Sequence, residues 1–216
     1  MEEKLEQITK LLIVRLKEMN LLEEGQPLNE IPVGVSNRHV HLSQKDMDVL
    51  FGEGYSLTKI RDLSQPGQFA CRETVTLCGA KGAIEKVRIL GPVRSDTQVE
   101  ILAGDTFKLG IKTEARLSGE LSGTPGITLV GPKGSVQTDG GVIIAKRHIH
   151  MTLADAKRFG VENGQTVKIE CPGERGGILD HVVIRANNNS ALECHLDTEE
   201  ANAMCLDGNS KIKIYK

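Results

Sequence analysis

Two short segments of the chain are near-copies of each other, and this duplication restricts the fold more than any other feature. Residues 38–43 and residues 147–152 both read arginine, histidine, an apolar residue, histidine, a second apolar residue and a hydroxyl residue. In an extended strand, residues i and i+2 point to the same face, about 7 Å apart. Two imidazoles can therefore converge on one metal ion, and each segment is half of a candidate metal site.

The similarity continues beyond the histidines. Ser43 is followed by Asp46 and Thr152 by Asp155, and this Ser/Thr-x-x-Asp spacing resembles the capping box that begins a helix. Glycines follow each segment and are typical of helix ends. The first histidines of the two segments are 109 positions apart in a chain of 216 residues. We therefore predict two related half-structures, each with a His-x-His strand followed by a short helix.

The rest of the sequence favours strands over helices. Short runs rich in β-branched residues, such as 87–90, 142–144, 167–169 and 182–184, lie between glycine, proline and asparagine residues. The 23 glycines and the six aromatic residues, with no tryptophan, indicate many tight turns and no large aromatic core. This pattern is typical of small β-barrels, so the predicted fold is mainly β with short capping helices.

The N-terminal region differs from the remainder. Apolar residues recur at spacings of three and four within residues 3–22, with charged residues on the other positions, which predicts an amphipathic helix. Residues 1–27 are therefore assigned to an N-terminal helix and linker. Two interpretations stay open: the helix packs on the body or on a second subunit, or it docks onto a larger assembly.

Composition restricts the partners and the compartment. The net charge of −2 provides no field that would gather nucleic acid or an anionic membrane. The five cysteines form no CxxC pair and no secretory signal precedes them, which favours reduced thiols in the cytoplasm. The longest strongly apolar run, residues 11–14, is far too short to cross a bilayer.

Several common catalytic motifs are missing from the sequence. It has no P-loop, no G-x-G-x-x-G motif that opens a helix and no G-x-S-x-G nucleophile elbow. Nucleotide hydrolysis by a P-loop, dinucleotide redox chemistry and serine hydrolysis therefore have no support. Cys194 is adjacent to His195, but neighbouring residues of a strand face opposite ways, which weakens a cysteine-histidine nucleophile.

Zinc is the metal that best suits imidazole pairs of this kind, and catalytic zinc sites keep one position open. On spacing alone, His195 and His181 are expected to be structural, and Glu100 is expected at an exposed strand position. Arg88 and Arg94 flank a Gly-Pro turn and offer guanidinium groups suited to phosphate oxygens. The arginines that precede each His-x-His pair, Arg38 and Arg147, are expected to be structural.

Three separated motifs in this order closely resemble the PduL-type phosphate propanoyltransferases. They are residues 34–43 (GVSNRHVHLS), residues 91–100 (GPVRSDTQVE) and residues 146–151 (KRHIHM). The resemblance covers residues 28–216. It implies an enzyme that interconverts a short-chain acyl-CoA, such as propanoyl-CoA or acetyl-CoA, plus phosphate with acyl phosphate plus CoA, by direct transfer.

The resemblance also implies a fold, cofactors and site residues. The fold would be two interleaved small β-barrels, one from residues 28–37 and 146–216 and the other from residues 38–145, with two zinc ions between them. The implied zinc ligands are His39, His41 and Glu100 at one site and His148, His150 and His195 at the other. Arg94 is the implied phosphate-binding and catalytic residue. The implied CoA contacts are Gly34, Val35, Ser36, Lys81, Arg88 and Asn202.

The expected partners are CoA or acyl-CoA and phosphate or acyl phosphate, with a homo-oligomer as the expected assembly. In families of this type an N-terminal amphipathic extension often directs the enzyme into a bacterial microcompartment, so residues 3–22 are a candidate contact with shell or core proteins. One alternative is a zinc-dependent hydrolase of esters or thioesters. Another is a non-catalytic, zinc-stabilised microcompartment adaptor.

Overall fold

The structure is a computed structural model that describes residue 15 and residues 29–215. Contacts divide the chain into two units, Met1–Glu30 and Ile31–Lys216. The predicted amphipathic helix and linker of residues 1–27 lie outside the described residues, apart from the helical residue 15.

The second unit is mainly β, as predicted. Its strands in chain order are β1 (Ile31–Ser36), β2 (His39–His41), β3 (Lys59–Asp62), β4 (Phe69–Cys78), β5 (Ala83–Gly91), β6 (Gln98–Ile101), β7 (Ala115–Arg116), β8 (Thr128–Val130), β9 (Ser135–Gln137), β10 (Val142–Ala145), β11 (His148–Met151), β12 (Thr166–Cys171), β13 (Gly177–Ala186), β14 (Glu193–Asp197) and β15 (Lys211–Tyr215). The short helices are α1 (Gln44–Phe51), α2 (Asp105–Leu109), α3 (Leu153–Phe159) and α4 (Thr198–Ala203).

Two sheets organise these strands. Strands β1, β14, β11, β13, β12 and β15 form a closed barrel in that order. The other nine strands form one sheet in the order β7-β10-β6-β2-β5-β4-β8-β9, with β3 beside β4. Each sheet encloses its own apolar core, with Ile149, Ile169 and Ile184 fully buried in the first and Leu42 and Ile89 in the second. The first sheet is thus a complete barrel and the second a half-barrel.

The two sheets repeat the same pairing scheme. Strand β2 is parallel to β5 and antiparallel to β6, and β11 is likewise parallel to β13 and antiparallel to β14. The parallel pair β10 and β6 corresponds to the parallel pair β1 and β14. The scheme differs at closure: β1 pairs with β15, whereas β10 pairs with β7. Closure of the second sheet would require a ladder between β10 and β8, the counterpart of the β1–β15 ladder. Among the described residues β10 pairs with β7 instead, so this sheet stays open.

The chain crosses between the sheets at equivalent places. Strand β1 belongs to the barrel and β2 to the open sheet, and the reverse crossing occurs between β10 and β11. Residues 37 and 38 form the first crossing, so residues 31–41 consist of two strands. The division into domains of residues 28–37 plus 146–216 and residues 38–145 stays a prediction, since both sheets lie in one contact unit.

The helices after the two histidine strands begin at the residues that the repeat predicts. The Ser43 hydroxyl accepts from the Asp46 amide, and Thr152 forms a full capping box with Asp155. The Asp197 carboxylate caps α4 by accepting from the Glu200 amide.

Candidate active site

The crossings open onto one cavity of about 990 Å³ that is lined by both sheets. Each His-x-His pair directly follows a crossing, so both pairs face the cavity from opposite sides. The cavity also receives residues from the end of β1 and from the loop after β3. This arrangement places the duplicated segments around a shared space.

The first group of donors is His39, His41 and Glu100. His41 and Glu100 are buried, and the His39 side chain is 12% exposed. His39 is directly opposite Glu100 in the β2–β6 ladder, and its Nε2 atom lies 3.4 Å from a Glu100 carboxylate oxygen. The ligand atoms of the three side chains all lie within 4.8 Å of one another. The exposed position that spacing favoured for Glu100 is wrong, because its carboxylate is buried against His39 and Gln98.

The second group is His148, His150 and His195. Their ligand atoms also lie within 4.8 Å of one another, and the Nε2 atoms of His148 and His150 are 3.1 Å apart. His195 is directly opposite His148 in the β11–β14 ladder. Glu100 and His195 therefore occupy equivalent positions of the two halves, each paired with the first histidine from the antiparallel neighbour.

The duplication also determines how the first histidine of each pair is oriented. The Nδ1 atom of His39 lies 2.8 Å from the Asn37 carbonyl oxygen, and that of His148 lies 2.7 Å from the Lys146 carbonyl oxygen. A neutral ring that donates from Nδ1 to a carbonyl keeps its lone pair on Nε2. Hydrogen bonds of this kind orient metal-binding imidazoles in proteins. Both rings therefore present Nε2 to their donor groups.

The charges of the first group are set by burial and by its own members. Burial lowers the pKa of His41 to about 3, and the charges of His39 and Arg94 act in the same direction. Burial also opposes a protonated His39, but the Glu100 carboxylate outweighs it and the pKa of His39 is raised. For Glu100, the neighbouring His39 outweighs burial and lowers the carboxyl pKa. The carboxylate is thus ionised and the His41 imidazole neutral near neutral pH.

Two imidazoles of the second group, those of His148 and His150, have lowered pKa values. Burial lowers the pKa of His148 to about 4, assisted by the charge of His195. Burial lowers the pKa of His150 to about 3, and His148 and His195 lower it further. A neutral imidazole is the form that binds a metal ion.

The two groups fit divalent zinc. Nitrogen and carboxylate donors at tetrahedral zinc lie about 2.0 to 2.2 Å from the ion, which places neighbouring donors about 3.3 Å apart. The 3.1 Å between the Nε2 atoms of His148 and His150 is close to that spacing. Among the described residues, the buried Nδ1 atoms of His41 and His150 have no hydrogen-bond partner.

Arg94 lies on the cavity in a polar network that includes two residues that the sequence did not single out. Its Nη1 atom donates to the Ser118 hydroxyl at 3.0 Å. The Gln98 amide donates to the same hydroxyl at 2.9 Å and to Glu100 at 2.6 Å. Ser118 and Gln98 therefore link the phosphate-binding candidate to a donor of the first group. Gln98 is detectable from the sequence only as the residue two positions before Glu100.

A second carboxylate holds His195. The Nε2 atom of His195 lies 2.5 Å from Glu193, and Glu193 also accepts from the Ser64 hydroxyl of the loop after β3. Glu193 is two positions before His195, as Gln98 is before Glu100. A side chain at Gly34 would lie against Glu193, since an added Cβ would be 2.6 Å from its carboxylate carbon. Glycine at this position therefore allows the close approach of β1 and Glu193.

The residues predicted to contact CoA fall into two sets. Gly34, Val35 and Ser36, at the end of β1, line the cavity, and so does Arg88, whose Nη1 atom donates to the carbonyls of Cys71 and Arg72. Lys81 and Asn202 are exposed and outside the described cavity lining. Asn202 lies on α4, whose first residue, Thr198, donates to the Ser36 carbonyl. The CoA contacts stay predictions.

Other polar residues near the crossings have structural partners. Arg38 and Arg147 form ion pairs of 2.7 Å with Asp105 and Glu200, and Arg38 also lines the cavity. Cys194 is fully buried in the barrel core, where burial raises its thiol pKa. His181 is exposed and lies outside both donor groups.

Comparisons with known proteins agree on one family. A family model described as phosphate propanoyltransferase matches residues 32–207. A phosphate propanoyltransferase of Thermotoga maritima is 51% identical over 97% of this chain and 99% of its own length. One from Rhodopseudomonas palustris is 53% identical over 87% of this chain and 83% of its own length. One from Clostridioides difficile is 44% identical over 100% of this chain and 99% of its own length.

In the part of the chain that the structure describes, no helix is long and apolar enough to span a membrane.

Proposed function

The chain belongs to the phosphate propanoyltransferase family and is an acyltransferase, and we propose that it transfers a propanoyl or acetyl group between CoA and inorganic phosphate at two zinc sites facing one cavity. One observation carries this proposal: two three-donor groups and Arg94 lie on the same cavity. His39, His41 and Glu100 would hold one ion, and His148, His150 and His195 the other.

The reaction proceeds by displacement at the thioester carbonyl. A phosphate oxygen forms a bond to the carbonyl carbon, the carbon–sulfur bond breaks, and CoA leaves as a thiolate that takes up a proton. Bound zinc supplies Lewis-acid polarisation of a carbonyl oxygen and lowers the pKa of a coordinated thiol. Arg94 binds phosphate oxygens through its guanidinium group and offsets their charge. Ser118 fixes the position of that guanidinium group.

Direct transfer needs no nucleophile on the protein, and two buried cysteines support this because neither is activated as a nucleophile. Cys194, the cysteine next to a donor histidine, points into the barrel core, and burial raises its thiol pKa. Cys71 is fully buried and burial raises its pKa to about 11. A thiolate is therefore disfavoured at both positions near neutral pH.

The test is release of free CoA thiol from propanoyl-CoA or acetyl-CoA with and without phosphate. We expect zinc-loaded protein to release thiol only when phosphate is present, with acyl phosphate formed in equal amount. A zinc-dependent hydrolase would release thiol without phosphate, since zinc-bound hydroxide attacks thioesters as well. A non-catalytic adaptor would release none. Comparing the two acyl-CoA substrates at the same concentration would identify the preferred acyl group.

The predicted amphipathic helix within residues 3–22 motivates a second part of the proposal, association with microcompartment proteins and with further copies of the chain. A truncated protein that lacks residues 1–22 should keep phosphate-dependent thiol release and lose co-localisation with shell proteins. The full-length chain is the control. Unchanged co-localisation of the truncated protein would exclude targeting by this segment, and an unchanged oligomeric state would exclude a role in assembly.

A further inference from the structure

Arg185 is a second arginine on the cavity that neither the sequence motifs nor the proposed reaction uses. It lies on β13 directly opposite His150 of β11. Paired residues of neighbouring strands point to the same face, about 5 Å apart. The Arg185 side chain therefore points out of the barrel on the same face as the second donor group. It lines the cavity together with Arg94.

No carboxylate in the described part of the chain forms an ion pair with the guanidinium group of Arg185. Within residues 29–215, the side chain of Arg185 forms no hydrogen bond or ion pair, although the residue is half-buried. The arginines at the two crossings behave differently, since Arg38 is paired with Asp105 and Arg147 with Glu200. A half-buried guanidinium group without a carboxylate partner is suited to binding an anion.

The positive charge of Arg185 acts on Arg94. Burial lowers the pKa of Arg94, and the charge of Arg185 lowers it further. Two arginines, one from each sheet, thus place positive charge on one cavity. An anion bound between them would relieve their mutual repulsion.

Each half places one arginine beside its donor group, since Arg88 lies opposite His39 on β5 and Arg185 lies opposite His150 on β13. The guanidinium group of Arg88 donates to the carbonyls of Cys71 and Arg72, whereas the side chain of Arg185 has no such partner among the described residues. Arg185 is therefore the one of these two arginines whose guanidinium group is available to an anion, on the His148 side of the cavity.

We propose that Arg185 and Arg94 form a clamp that binds the phosphoryl group of phosphate and of acyl phosphate between the two sheets. This inference rests on the proposed function and adds to it a second residue for the phosphate. A phosphoryl group presents several anionic oxygens, so it can accept hydrogen bonds from two guanidinium groups at once. The clamp would place the attacking oxygen beside the second donor group and leave the first side of the cavity to the thioester.

The test uses zinc-loaded Arg185→Gln and Arg185→Lys proteins, with Arg175→Gln as the control because Arg175 is exposed and outside the cavity lining. The readouts are zinc content, KM for phosphate, KM for acyl-CoA and the Kd of inorganic phosphate by calorimetry. We expect Arg185→Gln to raise the KM and Kd for phosphate about ten-fold or more. Arg185→Lys should give an intermediate rise, and the KM for acyl-CoA, the zinc content and the control should be unchanged.

Three results would overturn the clamp: unchanged phosphate affinity, a rise in the KM for acyl-CoA instead, or loss of zinc from Arg185→Gln. The second would assign Arg185 to the phosphates of CoA, and the third would make it a structural residue. Calorimetry separates this inference from the proposed function. Wild-type protein that binds phosphate through Arg185 but releases no thiol would contradict the proposed reaction and leave the anion site in place.

Discussion

Arg94→Ala should lower phosphate-dependent release of CoA thiol by about a hundred-fold or more and leave the zinc content unchanged. The guanidinium group of Arg94 lies on the cavity, is held by Ser118 and belongs to neither donor group. Its removal therefore takes away positive charge that offsets the negative charge on the phosphate and carbonyl oxygens in the transition state. All six candidate metal ligands remain. Steady-state kinetics with zinc-loaded protein and metal analysis of the same sample measure both effects.

The control for this substitution is Arg175→Ala, which removes an exposed arginine outside the cavity lining. It should retain wild-type turnover. Arg94→Lys keeps the charge but loses the planar fork, so it should recover only part of the activity. If Arg94→Ala lost both zinc equivalents, Arg94 would be a structural residue and the assignment to phosphate would be wrong. Unchanged turnover with phosphate would contradict it equally.

Much of the fold and of the candidate site could be predicted from the duplicated histidine segments. Their residue pattern alone indicates two related halves, the strand-then-helix order and four of the six donors. Local rules are sufficient for these features, because alternation along a strand and helix capping involve residues close together in sequence. The third donor in each group is different. Glu100 and His195 reach their sites through antiparallel ladders with β2 and β11, and no local spacing encodes that register.

The remaining features depend on long-range pairing. Arg185 faces the cavity because β13 is parallel to β11, and parallel neighbours are joined by long connections that leave no local pattern. The open second sheet has the same origin, since β10 pairs with β7 where the repeat alone would predict a closed barrel. Similarly, Ser118 follows the short strand β7, and its contact with Arg94 depends on how this segment packs against a residue 24 positions earlier.

Removing one ligand from either donor group should remove one metal ion and leave the other. His148→Ala should lower the zinc content of purified protein from about two equivalents to about one, because two remaining protein ligands rarely retain the ion. Turnover should fall to background, since the proposed reaction uses both sites. Metal analysis after exhaustive dialysis, together with the release of CoA thiol, measures the two effects.

The two halves supply their own controls. Glu100→Gln removes a donor from the other group and should also leave about one equivalent, while the double variant should retain almost none. His181→Asn removes an exposed histidine outside both groups and keeps a residue that tolerates the positive φ of 58° at this position, so it should retain wild-type zinc content. Loss of both ions from His148→Ala with an intact fold would mean that the sites bind metal as one cluster. Full zinc content in the double variant would show that the paired histidine segments do not form the metal sites.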